Sequence, residues 1–156
     1  MGSKDLMVGK IENGTVIDHI TAGMGHLVVR ILKLGPDAQY YLAQNVPSTK
    51  MGRKDIVKIA DRYPTEAQLN TIALIAPTAT TNRVKDWIIY GKFQVKVPSE
   101  VVDIIECPNG FCITNHEKGL HTRFALVRTD TNGKVLQCSF CECLVGLGEV
   151  ESHLLV

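Results

Sequence analysis

The chain has no surplus of charge, no long apolar run and no apolar leader, and each absence removes a class of function. Seventeen lysines and arginines stand against sixteen aspartates and glutamates, a net charge of +1 over 156 residues. No global field therefore draws the protein to DNA, RNA or an anionic membrane. No apolar stretch approaches the ~18 residues that would cross a bilayer, and the N-terminus lacks the apolar core of a signal peptide. A soluble, cytoplasmic protein is expected. Met1-Gly2 begins like an N-myristoylation site, but Leu6 occupies the position that requires serine or threonine. Glycine-rich phosphate loops are missing too. Gly23-Met-Gly25 lacks the third glycine of a dinucleotide fingerprint, and Gly52-Arg-Lys54 is not a Walker loop.

What the chain does have is cysteine in a telling arrangement. Four of the five cysteines fall in two pairs, Cys107-Pro-Asn-Gly-Phe-Cys112 and Cys138-Ser-Phe-Cys141. Pro108 with Asn109-Gly110 supplies the sharp turn that lets two sulfurs face one ion. Two such knuckles predict a tetrahedral zinc site of four thiolates, closed to water and substrate and hence structural. Reduced core thiols or a disulfide pair are the competing readings, and a cytoplasmic setting disfavours the disulfide. Cys143 competes with Cys141, but a two-residue spacer suits a knuckle and Cys143 is expected to be a small buried hydrophobe. His116 and His121 lie between the pairs, and using one as a ligand would leave a well-spaced cysteine idle. A zinc deaminase is excluded because His116-Glu117 lacks the His-x-Glu spacing and Gln137 stands where proline is expected.

The pattern ahead of the cysteines alternates strand and helix. Thr15–Ile20 is β-branched and follows the turn Asn13-Gly14. Met24, Leu27, Val28 and Ile31 recur at helical spacing, with Gly35-Pro36 as the stop. Strands are expected over Tyr40–Ala43 and Lys54–Ile59, joined by a loop carrying Pro47, Ser48 and Gly52. Thr65 and Gln68 form a capping box behind Pro64. Leu69, Ile72, Ala73 and Ala76 make the apolar face of the helix that follows, and Pro77 ends it. Asn82–Tyr90 reads as a fourth strand and Lys92–Pro98 as a polar extended segment. Strand, helix, strand, strand, helix, strand is the ferredoxin-like βαββαβ order. The expected class is α+β, with residues 1–98 as this domain and 99–156 as a small all-β zinc-binding domain. In the latter, Arg123–Thr129 and Lys134–Gln137 flank a tight turn at Asn132-Gly133. A core in so short a segment supplies only ~3–5 kcal/mol, against ~10–16 kcal/mol for a structural zinc, so folding there should require the metal.

Several segments resemble the regulatory chain of aspartate carbamoyltransferase, an allosteric subunit in pyrimidine biosynthesis. They are Gly14-Thr-Val-Ile-Asp-His-Ile20, Met51-Gly-Arg-Lys-Asp-Ile-Val-Lys-Ile59, Ala76-Pro-Thr-Ala-Thr, Asn82-Arg83, Gly91-Lys92 and the Cys-Pro-Asn start of the first knuckle. The resemblance spans nearly the whole chain. It implies an N-terminal domain that binds CTP or ATP and a domain holding one Zn2+ that docks on the catalytic chain. It also implies a regulatory-chain homodimer and no catalytic residues.

By resemblance, Asp18, His19, Lys58, Asn82 and Lys92 belong to the nucleotide pocket. Backbone near Ile11 and Val16 reads the base, and Asn109 lies at the docking interface. Without the resemblance these residues say little. Lys58 alternates with Val57 and Ile59 as a solvated strand lysine would. Lys92 is a surface lysine after a strand, and His19 is a hydrogen-bonded strand histidine. Four positions depart from the family pattern: Gly9 and Lys10 replace an acidic residue and alanine, Trp87 a tyrosine, and Phe111 an asparagine. The rival class is a nucleic-acid-binding zinc ribbon, which the near-neutral charge and the lack of a basic, aromatic-rich knuckle surface oppose.

Overall fold

A computed structural model describes residues 10–131 and 133–155. The chain divides into two compact units, with the boundary between Val97 and Pro98. The first unit runs β1 (Gly14–Thr21), α1 (Gly25–Ile31), β2 (Tyr40–Ser48), β3 (Gly52–Ala60), α2 (Glu66–Ile72), β4 (Thr80–Lys85) and β5 (Ile88–Gln94). Its sheet has the order β2-β3-β1-β4-β5 with every neighbouring pair antiparallel. The first four strands and two helices make the expected βαββαβ core, and β5 is added at the edge as a hairpin partner of β4.

Helix α1 packs on β2 and β3 and against α2. On that side the sheet buries Thr15, Ile17, Val57, Ile59 and Thr81, and the helices supply Leu27, Val28, Leu69 and Ile72. The alternate residues stand on the other face, because successive side chains of a strand point to opposite sides. The capping box forms as read from the sequence: Thr65 accepts from the Gln68 N–H, and the Gln68 side chain accepts from the Thr65 N–H. No local side chain caps α1. Its start is held instead by Asp55 of β3, a fully buried carboxylate that accepts from the N–H groups of Gly23 (3.0 Å) and Gly25 (2.7 Å). The same carboxylate accepts from Asn45 N–H at the bulge in β2 (2.8 Å). A Cβ on Gly25 would stand 2.9 Å from Asp55 Oδ2 and 2.6 Å from Leu42, so only glycine lets the carboxylate this close.

Four expectations for this unit need correction. Asn82–Tyr90 is not one strand, because the chain reverses at Asp86 and Trp87, both with positive φ (52° and 71°). That pair of angles suits a tight hairpin, but tryptophan seldom adopts it, which is why the turn was hidden. The first three residues of the segment Lys92–Pro98, up to Gln94, are the end of β5. Pro47 and Ser48 lie in β2 rather than in a loop, and Pro47 is tolerated because β2 is an edge strand. Helix α1 stops at Ile31, ahead of Gly35-Pro36, and Lys33 follows with φ of 52°.

The second unit is an antiparallel sheet of β6 (Glu100–Val102), β7 (Arg123–Thr129), β8 (Gly133–Cys138) and β9 (Leu144–Gly146) in that order. Its core is small, with Val101, Ile105, Phe124, Leu136, Val145 and Val150 buried. The β7–β8 hairpin was expected, and its pairing closes at Thr129 and Gly133. The turn residue Asn132 lies outside the described residues, as does Gly9. Strands β6 and β9 are three residues each, too short to carry a periodic signal.

Candidate functional site

Register assembles the polar residues of the first unit. Val16 on β1 pairs with Lys58 on β3 and with Asn82 on β4. Beyond them, Tyr41 on β2 pairs with Lys58, and Lys92 on β5 pairs with Asn82. Directly opposed residues of neighbouring strands share a face. Tyr41, Lys58, Val16, Asn82 and Lys92 thus form one row across the sheet, on the face without helices. Three strand spacings separate Lys58 from Lys92, about 14 Å.

Asp18 stands on the same face two residues along β1. Its carboxylate pairs with Lys54 Nζ at 2.9 Å and accepts the His19 backbone N–H at 2.6 Å. His19 lies in the left-handed region (φ 56°) within the bulge of β1, and its Nδ1 meets Thr80 Oγ1 at 2.9 Å. Burial pushes the His19 imidazole below its ordinary pKa; Asp18 opposes this, and Lys54, Lys50 and Lys92 add to it. Three ammonium groups are therefore felt at one histidine. Asn82 Oδ1 is buried and has no hydrogen-bond donor. A buried amide oxygen without a partner costs about 1–3 kcal/mol, and a ligand N–H or O–H placed there would remove that cost. Ile11 lies ahead of β1. Its side chain is buried, and the neighbouring Glu12 carbonyl accepts the Trp87 N–H at the hairpin turn (2.8 Å).

Lys54, Lys50 and Thr80 escaped the sequence reading. For Lys54 a signal existed: Lys54, Ile56 and Lys58 alternate with buried Asp55, Val57 and Ile59, so the two lysines share a face of β3.

In the second unit, Cys107, Cys112, Cys138 and Cys141 bring their sulfurs within 4.8 Å of one another. Cys107 and Cys141 lie 3.5 Å apart and Cys112 and Cys138 3.8 Å apart. A tetrahedron with zinc–sulfur bonds of about 2.3 Å has sulfurs about 3.8 Å apart, so the residues present fit a zinc ion. Four thiolates fill its coordination shell. Burial raises the Cys107 and Cys138 thiols, which favours the neutral form until a divalent cation replaces the protons. Burial also works against the Cys141 thiolate, but the Asn109 side chain and the Cys143 backbone bring it down to about 6.

The first knuckle is tied internally. Asn109 accepts N–H bonds from Phe111 through Oδ1 and from Cys112 through its carbonyl, each at 3.0 Å. The Asn115 amide donates to the carbonyls of Cys107 and Asn109. His116 and His121 stand outside the cluster, engaged with the Gly110 carbonyl and with Asp103. Cys143 is half-exposed rather than buried and its sulfur lies outside the cluster; Glu142, between it and Cys141, adopts a positive φ (67°).

Fold and sites together define a class: a metal-binding α+β protein whose cation-bearing sheet and thiolate cluster occupy separate units. The comparisons narrow it. Residues 6–96 match the family model of the aspartate carbamoyltransferase regulatory chain, allosteric domain, and residues 99–151 match that of its metal-binding domain. The chain is 44% identical over 140 residues to the aspartate carbamoyltransferase regulatory chain of Archaeoglobus fulgidus, covering 88% of this chain and 92% of the relative. To the regulatory chain of Pyrococcus abyssi it is 43% identical over 153 residues, covering 96% and 99%. The chain belongs to the aspartate carbamoyltransferase regulatory chain family, and its two units are an allosteric domain and a metal-binding domain of that family.

Proposed function

We propose that this chain is the non-catalytic, cytoplasmic subunit through which CTP or ATP controls a separate aspartate carbamoyltransferase catalytic chain. The observation that carries the reading is the row across the open sheet, with its orphaned Asn82 oxygen beside Lys92 and, across Val16, Lys58. A nucleoside triphosphate needs mobile cations for its phosphates, and lysine supplies a point charge that adapts to several phosphate geometries. Lys58 and Lys92 fill that role, with Lys54 and Lys50 near His19. Asn82 Oδ1 accepts from the exocyclic amine of the base or from a ribose hydroxyl. Asp18 serves by holding Lys54, and His19 offers its ring beside Thr80.

The metal-binding domain docks on the catalytic chain, with Asn109 at the contact, and regulatory chains pair as homodimers that bridge catalytic trimers. Phe111 is 95% exposed at the tip of a knuckle fixed by its own hydrogen bonds, which supports the tip as part of that contact. Control then requires that nucleotide bind two states of the assembly unequally, a coupling of ~1–3 kcal/mol in typical cases.

The test is a calorimetric titration of the zinc-loaded chain with CTP and with ATP, repeated on Lys58→Ala. One saturable site, weakened about tenfold or more in the variant, is the expected result. Absence of binding by either nucleotide would reduce the chain to a linker between catalytic trimers.

A further inference from the structure

We propose a second anion site in the allosteric domain, in the groove between α2 and β5. The groove encloses about 530 Å³ and is lined by Arg83, Lys92 and Lys96, by Tyr90 and Phe93, and by Asn70 and Glu66 of α2. Lys92 borders the groove from the edge strand but pairs with Asn82 and shares its face, so two cations, Arg83 and Lys96, face one carboxylate. A groove of this size accommodates a small ligand.

Arg83 is the residue that makes the groove a site. It follows Asn82 on β4, so the two side chains leave opposite faces of the sheet, and the groove is distinct from the row. Among the described residues Arg83 has neither an ion pair nor a hydrogen bond for its guanidinium. Its stem is nonetheless placed: a Cβ built on Gly91 would meet Arg83 Cβ and Cδ at 3.8 and 3.9 Å, so the arginine lies along the bare backbone of β5. The chain just beyond β5 is in turn tied to α2 by the Lys96 N–H, which donates to Asn70 Oδ1 at 3.0 Å. The result is a positioned, unpaired fork of donors in a groove that Lys96 also lines. A guanidinium fork matches the paired oxygens of a phosphate, and the second cation, Lys96, favours a multiply charged anion over a simple carboxylate. The ligand class is a small phosphate or polyphosphate anion.

The test follows backbone amide resonances of the full, zinc-loaded, ¹⁵N-labelled chain during titration with inorganic pyrophosphate at constant ionic strength. Saturable shifts of Asn70, Gly91, Phe93 and Lys96 are expected. Arg83→Gln should weaken that response about tenfold or more, and Lys58→Ala should leave it intact. Arg83→Lys, which keeps the charge but loses the fork, should fall between them and covers the case in which Arg83→Gln does not fold. The proposal is overturned if these residues show no saturable shift, if chloride produces the same shifts, or if Arg83→Gln responds as the parent chain does. A response abolished by Lys58→Ala would equally overturn it by placing the anion in the row.

Discussion

The two units solve the same problem of stability by different physics. The allosteric domain buries Ile17, Ile20, Val57, Ile59, Leu69 and Ile72 completely between one sheet and two helices. The metal-binding domain has four strands, two of them three residues long, and a core centred on Phe124, Leu136 and Val145. In so short a segment hydrophobic burial roughly cancels chain entropy. A zinc ion held by the four-cysteine cluster would cover that deficit by joining two loops distant in sequence. The first unit should therefore depend chiefly on its core, and the second chiefly on its metal.

The largest expected effect breaks the comparison at the metal. Cys112→Ser, or prolonged chelation, removes a ligand from a site of the kind that supplies on the order of 10 kcal/mol. The metal-binding domain should lose its dispersed amide spectrum and its zinc, while the allosteric domain keeps its own spectrum and its CTP affinity. Assembly with catalytic trimers should fail in sedimentation. A variant that keeps its zinc and sediments as an intact complex would show that three thiolates suffice.

Next in size is the reverse perturbation. Asp55→Ala strands the N–H groups of Gly23, Gly25 and Asn45 and should cost about 3 kcal/mol or more. Denaturant titration should show the loss in the allosteric domain alone, with zinc content unchanged. Equal destabilisation of both units would mean that they fold as one. A finer adjustment is Thr65→Ala, which deletes the hydroxyl acceptor for the Gln68 N–H and should cost about 1 kcal/mol in the same titration.

These residues also mark what a sequence can show. The Thr65–Gln68 box and the two cysteine knuckles are local, with partners three to five positions apart, and both were legible as spacing. Asp55 was not, because its partners on α1 and β2 are reached only through the fold. The row from Lys58 to Lys92 was available only through resemblance, since no local pattern states which residues of five strands stand side by side. The hairpin at Asp86-Trp87 was missed for a third reason: residue type and backbone conformation disagree there. In physical terms, spacing reveals chemistry confined to one loop or one helix turn, and register is needed for chemistry spread across a sheet.

The smallest expected effect sharpens the comparison through pH. His19 has its pKa lowered, chiefly by burial, from the ordinary 6.5. The unfolded chain therefore takes up the proton first, and the allosteric domain should lose stability as pH falls below 6.5, levelling off below the lowered folded value. Polyphosphate in the row would act in the opposite sense, because negative charge beside the imidazole favours its protonated form. Nucleotide binding should then take up a fraction of a proton near pH 6, and affinity should rise modestly from pH 7 to pH 6. Calorimetry in two buffers of different ionisation enthalpy measures that uptake directly. His19→Asn should abolish it while tolerating the left-handed backbone, since asparagine is among the residues that adopt positive φ most readily. Proton uptake unchanged in His19→Asn would move the titrating group elsewhere and leave His19 with only its hydrogen bond to Thr80.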